Sequence, residues 1–570
     1  MAYDADAPMK IARLLPSRAD FAGRHLRHDL LAGLTVSVVA LPLALGFGVT
    51  TGAGAAAGVA TAIVAGVVAA VFGGSNFQVS GPTGAMTVVL LPIVARYGVS
   101  ALAAVGVIAG AILVALAFAG VGKYVHLIPW PVIAGFTTGI AAIIFLQQAP
   151  GLFGVDKPDG ESILPVTWRT IEGFLDAPGW ASLLLGGITI AGMAGWMAVP
   201  GLRGLPAGMI ALVAGTLVSL LPVFDGVERV AGIPRGLPSP ALPTFGGLPF
   251  TDLIRVSLTV AVLAALESLL SAVVADGMTI EERHDPDREL LGQGLANVAT
   301  SLFGGMPATG ALARTAVNVR SGARTRMAAV VHGVALFAIV SFMAPLATRI
   351  PLAVLSGILV VVAWRMVELH SVRTIFRSTK SDAAVFVLTM GVTILVDLIM
   401  AIEVGLVAAG FLFVVRMGGL LSVDPEPLAG IPGAGHDTPE EAAEEEHLRT
   451  ESIVAYRIDG PVFFGAANRF FDQLLKVGVG VKVVILRMRR VPVMDATGLA
   501  ALDALVDRLK RRGILVLVSG LQPQPQSVLE RTGVLDAISR NRNHLFDTTE
   551  EAIAHARLHL SSRDHLAPSR

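Results

Sequence analysis

The pattern of apolar and polar positions divides this chain into two unequal parts. No charged residue occurs between Leu30 and Ala95, and apolar stretches of about 20 residues, the length that spans a bilayer as helix, follow one another to Met417. About fourteen such segments fit in that interval. Segments 3 and 10 depart from the pattern. Segment 3 opens with Ser80-Gly81-Pro82-Thr83-Gly84 and segment 10 with Pro307-Ala308-Thr309-Gly310. Pro suits a first helical turn and Gly allows close backbone approach, so both read as half-helices preceded by extended chain. Non-helical backbone at membrane depth persists only where it lines a cavity or is covered by protein.

The two interruptions carry the same phrase. Thr83-Gly84-Ala85-Met86 recurs as Thr309-Gly310-Ala311-Leu312. Asp29-Leu30-Leu31 with Leu34-Thr35 recurs at a similar offset as Asp252-Leu253-Ile254 with Leu258-Thr259. The membrane part therefore reads as two copies of one unit. Broken segments at matching positions of such copies point to a transporter's binding site.

Orientation follows the Lys/Arg bias of the short loops. Arg13, Arg18, Arg24 and Arg27 precede segment 1; Arg320, Arg324 and Arg326 follow segment 10; Arg365, Arg373, Arg377 and Lys380 follow segment 12. These loops fall on one side with fourteen spans and a cytoplasmic N-terminus. The stretch Gly151–Gly179, with only Lys157 and Arg169, falls outside. Both termini are then cytoplasmic, in a multi-pass protein of the cytoplasmic (inner) membrane. The polar, mildly basic N-terminus does not read as a signal peptide.

After Met417 the pattern changes. Asp424 to Leu448 is rich in Pro, Gly and Glu and reads as a solvated linker. Beyond it, Ser452–Ile458, Val481–Met488 and Ile514–Ser519 read as strands. Ala467–Val477, Leu499–Arg512 and a segment from Thr548, with Glu551 completing a capping box, read as helices. Alternating strands and helices predict a small α/β domain. The expected division is a cytoplasmic segment 1–29, a membrane domain 30–420, an acidic linker 421–450, an α/β domain 451–560 and a tail 561–570.

Composition supports the membrane reading. The 570 residues are 54% hydrophobic and 15% charged, with a mean hydropathy of +0.71. The net charge is zero, which gives no electrostatic basis for binding nucleic acid. With no cysteine, disulfides, thiolate metal sites and cysteine nucleophiles are excluded. No Walker motif, dinucleotide fingerprint or metal-ligand cluster is present, so no cofactor, metal or enzymatic activity is expected.

The chemistry concentrates where the half-helices begin. Two N-termini facing one spot offer free N–H groups and aligned dipoles to an anion. Arg314, within a turn of the start of segment 10, adds a full positive charge there, or else only braces the two helices. Glu267, at the repeat position of Leu43, lies on a segment flanking that spot; it serves coupling or braces Arg314. Leu43 and Phe47, beyond Pro42, offer an apolar wall. His332 in segment 11 reads as packing. In the α/β domain, Thr497 of Asp495-Ala496-Thr497-Gly498 sits at a helix start, as an N-cap or a phosphorylation site.

Asp29 to Thr35 (DLLAGLT) with Leu41 to Phe47 (LPLALGF) resembles the first helix of the sulfate permease (SulP) family, bacterial relatives of the animal anion exchangers and prestin. Gly310 to Asn318 (GALARTAVN), followed by Ser321 to Thr325, resembles that family's helix 10, and the C-terminal part resembles a STAS domain with Thr497 at the phosphoacceptor position. The resemblance implies an α-helical membrane protein with a seven-plus-seven inverted repeat, core and gate domains, and usually a homodimer. It implies a substrate site of Phe47, Thr83, Gly84, Ala85, Gly310, Ala311, Leu312, Ala313 and Arg314, with Glu267 and Ser271 in coupling. Sodium-coupled bicarbonate members have Thr where this chain has Leu312, and no Arg at the position of Arg314. Leu312 removes an oxygen ligand and a guanidinium repels sodium, so proton symport or anion exchange is expected.

The expected function is secondary active transport of a small anion (sulfate, bicarbonate or dicarboxylate) by an elevator movement, with a co-transported proton or counter-anion. The alternatives are an anion channel and an anion sensor acting through its STAS domain, with or without a cytoplasmic protein bound to that domain.

Overall fold

The fold is that of a computed structural model, which describes residues 25–158, 162–199, 206–230, 236–243, 249–279, 283–396, 398–418, 422–425, 452–463, 480–534 and 544–564. It separates into two compact units, residues 1–407 and 408–570.

The first unit is helical. Its first half holds α1 (Leu26–Thr51), α2 (Ala55–Phe72), strand β1 (Ser80–Gly81), α3 (Gly84–Tyr97), α4 (Ala101–Phe118), α5 (Trp130–Gln147), α6 (Trp180–Ala198) and α7 (Ala207–Val218). Its second half repeats that order with α8 (Phe250–Met278), α9 (Pro286–Leu302), β2 (Thr309–Gly310), α10 (Leu312–Arg320), α11 (Met327–Ala347), α12 (Leu352–Met366), α13 (Lys380–Leu395) and α14 (Leu398–Gly418). A further helix lies at the same place in each half, Ile163–Asp176 between α5 and α6 and Leu369–Ser378 between α12 and α13. The hydrophobic pattern does not reveal these two. Each has one apolar face among charged residues, as in Leu369-His-Ser-Val-Arg-Thr-Ile-Phe-Arg-Ser378, and so lacks a continuous apolar run.

Packing sorts the helices into two sets. The helices α1, α2 and α4 lie against α8, α9 and α11, while α5 and α6 lie against α12 and α13. Close approach depends on small residues. At the α4–α9 crossing, a Cβ on Gly110 would stand 2.6 Å from the Gly294 carbonyl, and one on Gly294 would stand 2.7 Å from the Gly110 carbonyl. Such reciprocal contact is how membrane helices gain packing without a hydrophobic driving force.

Not every segment is apolar throughout. α9 buries Glu289, Gln293, Asn297, Thr300 and Ser301. Glu289 meets the amides of Gly74 and Ser75, Gln293 meets the Ser80 hydroxyl, and Asn297 meets the backbone of Ala308. Thr83-Gly84 and Thr309-Gly310, alike in sequence, also differ in role. Thr83 is the N-cap of α3 and Gly84 its first residue, whereas Thr309 and Gly310 form β2 and α10 starts two residues later.

The second unit carries a five-stranded sheet in the order β3 (Ser422–Pro425), β4 (Ile453–Asp459), β5 (Val483–Arg490), β6 (Leu515–Ser519), β7 (Leu545–Phe546). β3 is antiparallel to β4 and the other neighbours are parallel. Helices α15 (Ala496–Arg511), α16 (Pro523–Arg531) and α17 (Thr549–Asp564) accompany it. The α/β expectation holds, with one difference: Ser422–Pro425, read from sequence as the start of the linker, is an edge strand. Its short Ser-Val-Asp-Pro sequence carries no strand signal, and its place comes from pairing with β4. The Ala467–Val477 helix and the body of the acidic linker lie outside the described residues.

Candidate functional site

The site is built on a two-stranded ribbon. β1 and β2 pair antiparallel, with Ser80 opposite Gly310 and Gly81 opposite Thr309. The chain leaves this ribbon in opposite directions, into α3 from one strand and α10 from the other. Their first turns therefore start from one place. An unpaired backbone group in apolar surroundings costs several kcal/mol, on the order of 2–7, so the extended chain needs a full set of partners.

Side chains from four helices supply them. From α9, Asn297 Oδ1 accepts from the Ala308 amide at 2.8 Å and its Nδ2 donates to the Ala308 carbonyl at 2.9 Å. Gln293 Nε2 donates to Ser80 Oγ at 2.6 Å. From α8, Ser268 Oγ accepts from the Gly310 amide at 2.9 Å and shares a proton with Thr309 Oγ1 at 3.0 Å. From α10, Thr315 Oγ1 accepts from the Val79 amide at 3.1 Å and Asn318 donates to the Phe77 carbonyl at 2.8 Å. From α2, Thr61 Oγ1 accepts from the Met306 amide at 2.8 Å.

The first turns of both helices leave further amides without an intrahelical acceptor. At α3, Thr83 Oγ1 accepts from the Met86 amide at 3.3 Å, while Gly84 and Ala85 occupy the first two helical positions, whose N–H groups have no intrahelical acceptor. At α10 the cap residue Ala311 has no capping side chain, and Leu312 and Ala313 occupy the same two positions. Ala311 donates its own amide to the Val79 carbonyl at 2.9 Å. Leu312 and Ala313 are exposed, although they start a helix whose Arg314, Thr315 and Asn318 are buried. They therefore face open space rather than protein.

Arg314 supplies the full charge. Its side chain is 1% exposed, and Nη2 donates to the Pro82 carbonyl. Nε and Nη1 have no hydrogen-bond partner. The guanidinium lies against the ribbon because residue 81 is Gly: a Cβ there would collide with Nη1. Glu267 is directed elsewhere. Its Oε2 accepts from Thr83 Oγ1 at 2.9 Å. Thr83 thus both caps α3 and ties that cap to α8. Burying an unpaired guanidinium is costly, and a buried charge with spare donors invites an anion.

Around this polar spot the wall is apolar. A Cβ on Gly84 would lie 3.5 Å from the Phe47 ring and 3.2 Å from Ile144 Cγ1. Leu43 and Phe47 pack with Leu359 of α12. The wall thus comes from α1, α5 and α12, with Leu43 and Phe47 expected from sequence and Ile144 and Leu359 not.

The structure brings together Phe47, Thr83, Gly84, Glu267, Gly310 and Arg314, with Ala85, Ala311, Leu312 and Ala313 on the adjoining turns. Ser271 stands apart. Its hydroxyl donates to Thr315 Oγ1 at 3.0 Å, which braces α8 against α10. His332 is wholly buried beside Gly66, and neither ring nitrogen has a hydrogen-bond partner. In the second unit the N-cap is Asp495, whose Oδ1 accepts from the Gly498 amide at 2.8 Å; Thr497 lies in the first turn, half-buried. No group of metal-ligating side chains occurs among the described residues.

A helical membrane domain with two broken helices tied by a ribbon, followed by a mixed five-stranded domain, defines a class of anion transporters, and family comparison agrees. Residues 26–389 match the sulfate permease family and residues 446–552 match the STAS domain. The chain belongs to the sulfate permease family. It is 34% identical over 537 residues to the "Putative sulfate transporter YvdB" of Bacillus subtilis, covering 92% of this chain and 96% of the relative. It is 30% identical to the "Bicarbonate transporter BicA" of Picosynechococcus, covering 94% and 95%. Among solved structures, the transmembrane domain of a cyanobacterial BicA matches with a TM-score of 0.61 and 32% identity, covering 68% of this chain and 98% of that one. The inward-facing murine Slc26a9 anion transporter matches in fold, with a TM-score of 0.81 at 17% identity over 98% and 96% of the two chains. The chain is thus a multi-pass membrane protein of a sulfate and bicarbonate transporter family.

Proposed function

We propose that the protein is a secondary active transporter of a small anion, sulfate, bicarbonate or a dicarboxylate, across the cytoplasmic membrane. The anion sits between the first turns of α3 and α10, held by the amides of Gly84, Ala85, Leu312 and Ala313 and by the guanidinium of Arg314, with Phe47 as the apolar wall. One observation carries this reading: a fully buried arginine with two unpartnered nitrogens stands beside two helix starts, that of α10 without a capping side chain and that of α3 capped only at Met86. Each helix start contributes about half a charge, so the guanidinium supplies the larger share of the attraction.

Glu267 is the coupling residue. Linked to the cap of α3 through Thr83, it senses the same helix start that holds the anion. Leu312 offers no oxygen and Arg314 repels a cation, so a proton or a counter-anion, not sodium, drives the flux. The α1–α4 and α8–α11 set moves against the α5–α7 and α12–α14 set as an elevator, in a homodimer whose termini are cytoplasmic. The STAS domain offers Thr497 and a surface for a cytoplasmic protein as its means of regulation.

The test is uptake of labelled sulfate, bicarbonate and fumarate into proteoliposomes, with and without an inward proton gradient. One anion accumulates, the gradient drives it, Glu267→Gln uncouples it and Arg314→Ala abolishes it. Flux that never saturates or accumulates makes the protein a channel. Binding without flux makes it a sensor, and flux driven by sodium alone overturns the coupling assignment.

A further inference from the structure

A chamber of about 540 Å³ opens in the first unit, between the C-terminal half of α3, the start of α8 and the chain before Ile163–Asp176. Arg96, Lys157 and Arg255 line it, with Asp252 as the one carboxylate among its lining residues. Asp252 is engaged: its Oδ2 accepts from the Tyr97 hydroxyl at 2.8 Å. Arg96 lies 5.2 Å from the centre of the Tyr97 ring. Among the described residues, none of the three cations has a carboxylate partner. The chamber thus holds three positive groups against one negative. Concave walls of low dielectric concentrate such a field and raise the local concentration of counter-ions.

The chamber's depth gives it a relation to the site. Its floor includes Val88 of α3, one turn beyond Gly84, and Ile143 of α5, next to the Ile144 that packs on Gly84. Desolvation holds the Lys157 amine below its usual 10.5, although much of the side chain stays exposed.

We infer that this chamber is a second anion site, in which Arg96, Lys157 and Arg255 hold a small inorganic anion next to the site between α3 and α10. The inference rests on the transport reading only in calling the chamber second; its own binding is measured separately. The chamber faces the side on which Gly151–Gly179 lies, the external side in the orientation expected from the loop charges.

The experiment follows the NMR linewidth of chloride with the full-length protein in detergent, with sulfate as competitor. The native protein broadens chloride, and sulfate reverses this. Lys157→Gln with Arg255→Gln removes about half of the effect, Arg314→Ala removes the rest, and Lys157→Arg keeps it. The double variant replaces exposed side chains that make no hydrogen bond, so its fold is retained. If it broadens chloride as the native protein does, the chamber is not an anion site. If Arg314→Ala leaves the broadening intact while the double variant abolishes it, the chamber stands and the site between the half-helices falls.

Discussion

At the scale of single residues, the site is a matter of which polar atoms have partners. Arg314 has one bond where its fork offers several, and a lysine cannot replace it. An ammonium lacks the planar fork and is more strongly hydrated. Arg314→Lys is expected to lower kcat/KM for anion uptake at least about tenfold, ~1.4 kcal/mol, while the protein keeps its thermal stability. Gly310 is constrained by space. A Cβ there would meet Gln78 Cδ at 2.6 Å and Ser268 Cα at 3.1 Å, and the second is backbone that cannot yield. Gly310→Ala is expected to cost about 1–3 kcal/mol, read as a lowered unfolding midpoint in detergent. Arg314 and Glu267 were legible in the sequence because a charge in an apolar run is conspicuous. Ser268, Gln293 and Asn297 were not, since a hydroxyl or amide in a membrane helix gains meaning only from the backbone group it meets. Ser271 enters the coupling pair through the family resemblance, and its hydroxyl bonds to Thr315 of α10.

At the scale of elements, α9 is the support on which the extended chain rests. Asn297 satisfies both the N–H and the C=O of Ala308. Asn297→Leu leaves two buried backbone groups unmatched, at about 1–3 kcal/mol each, and is expected to destabilise the folded protein while Asn297→Asp is milder. Thermal unfolding of the two variants in one detergent separates them. In the second unit, His555 lies with its ring centre 5.7 Å from that of His544. Burial first, and then the neighbouring charges of His544 and His559, hold its pKa below 6.5. The unfolded chain therefore takes up this proton more readily than the folded one. Stability contributed here is present above the unfolded value and declines as the pH falls through it. The protection factors of α17 amides in the full-length protein, which correct for the intrinsic pH dependence of exchange, should fall between about pH 7.5 and pH 5.5, and His555→Gln should flatten that change.

The repeat, the two broken helices and the α/β domain were all legible, because charge-free runs and their interruptions are strong signals. The helices Ile163–Asp176 and Leu369–Ser378 were not, since each presents an apolar face only to a neighbour that the sequence does not specify. Strand β3 was hidden for a related reason: four residues acquire a conformation from β4, not from their own propensity.

At the scale of the whole molecule, the absence of an oxygen ligand at Leu312 and the presence of Arg314 make a clear demand. Replacing sodium by choline on both sides of proteoliposomes should leave the initial rate of uptake unchanged. Collapsing the proton gradient, or removing the counter-anion, should reduce it. A rate that follows sodium would require a cation site built from other groups.

The ribbon described above joins strands contributed by the two similar halves of the membrane domain. Each half alone would present a bare strand edge in apolar surroundings, with amides and carbonyls that neither water nor lipid could satisfy. The two copies are therefore obligate companions: the chain is made of two like pieces, yet it cannot be divided into two working proteins. The pairing is an internal seam, and a substitution along one edge must be judged by its effect on the other.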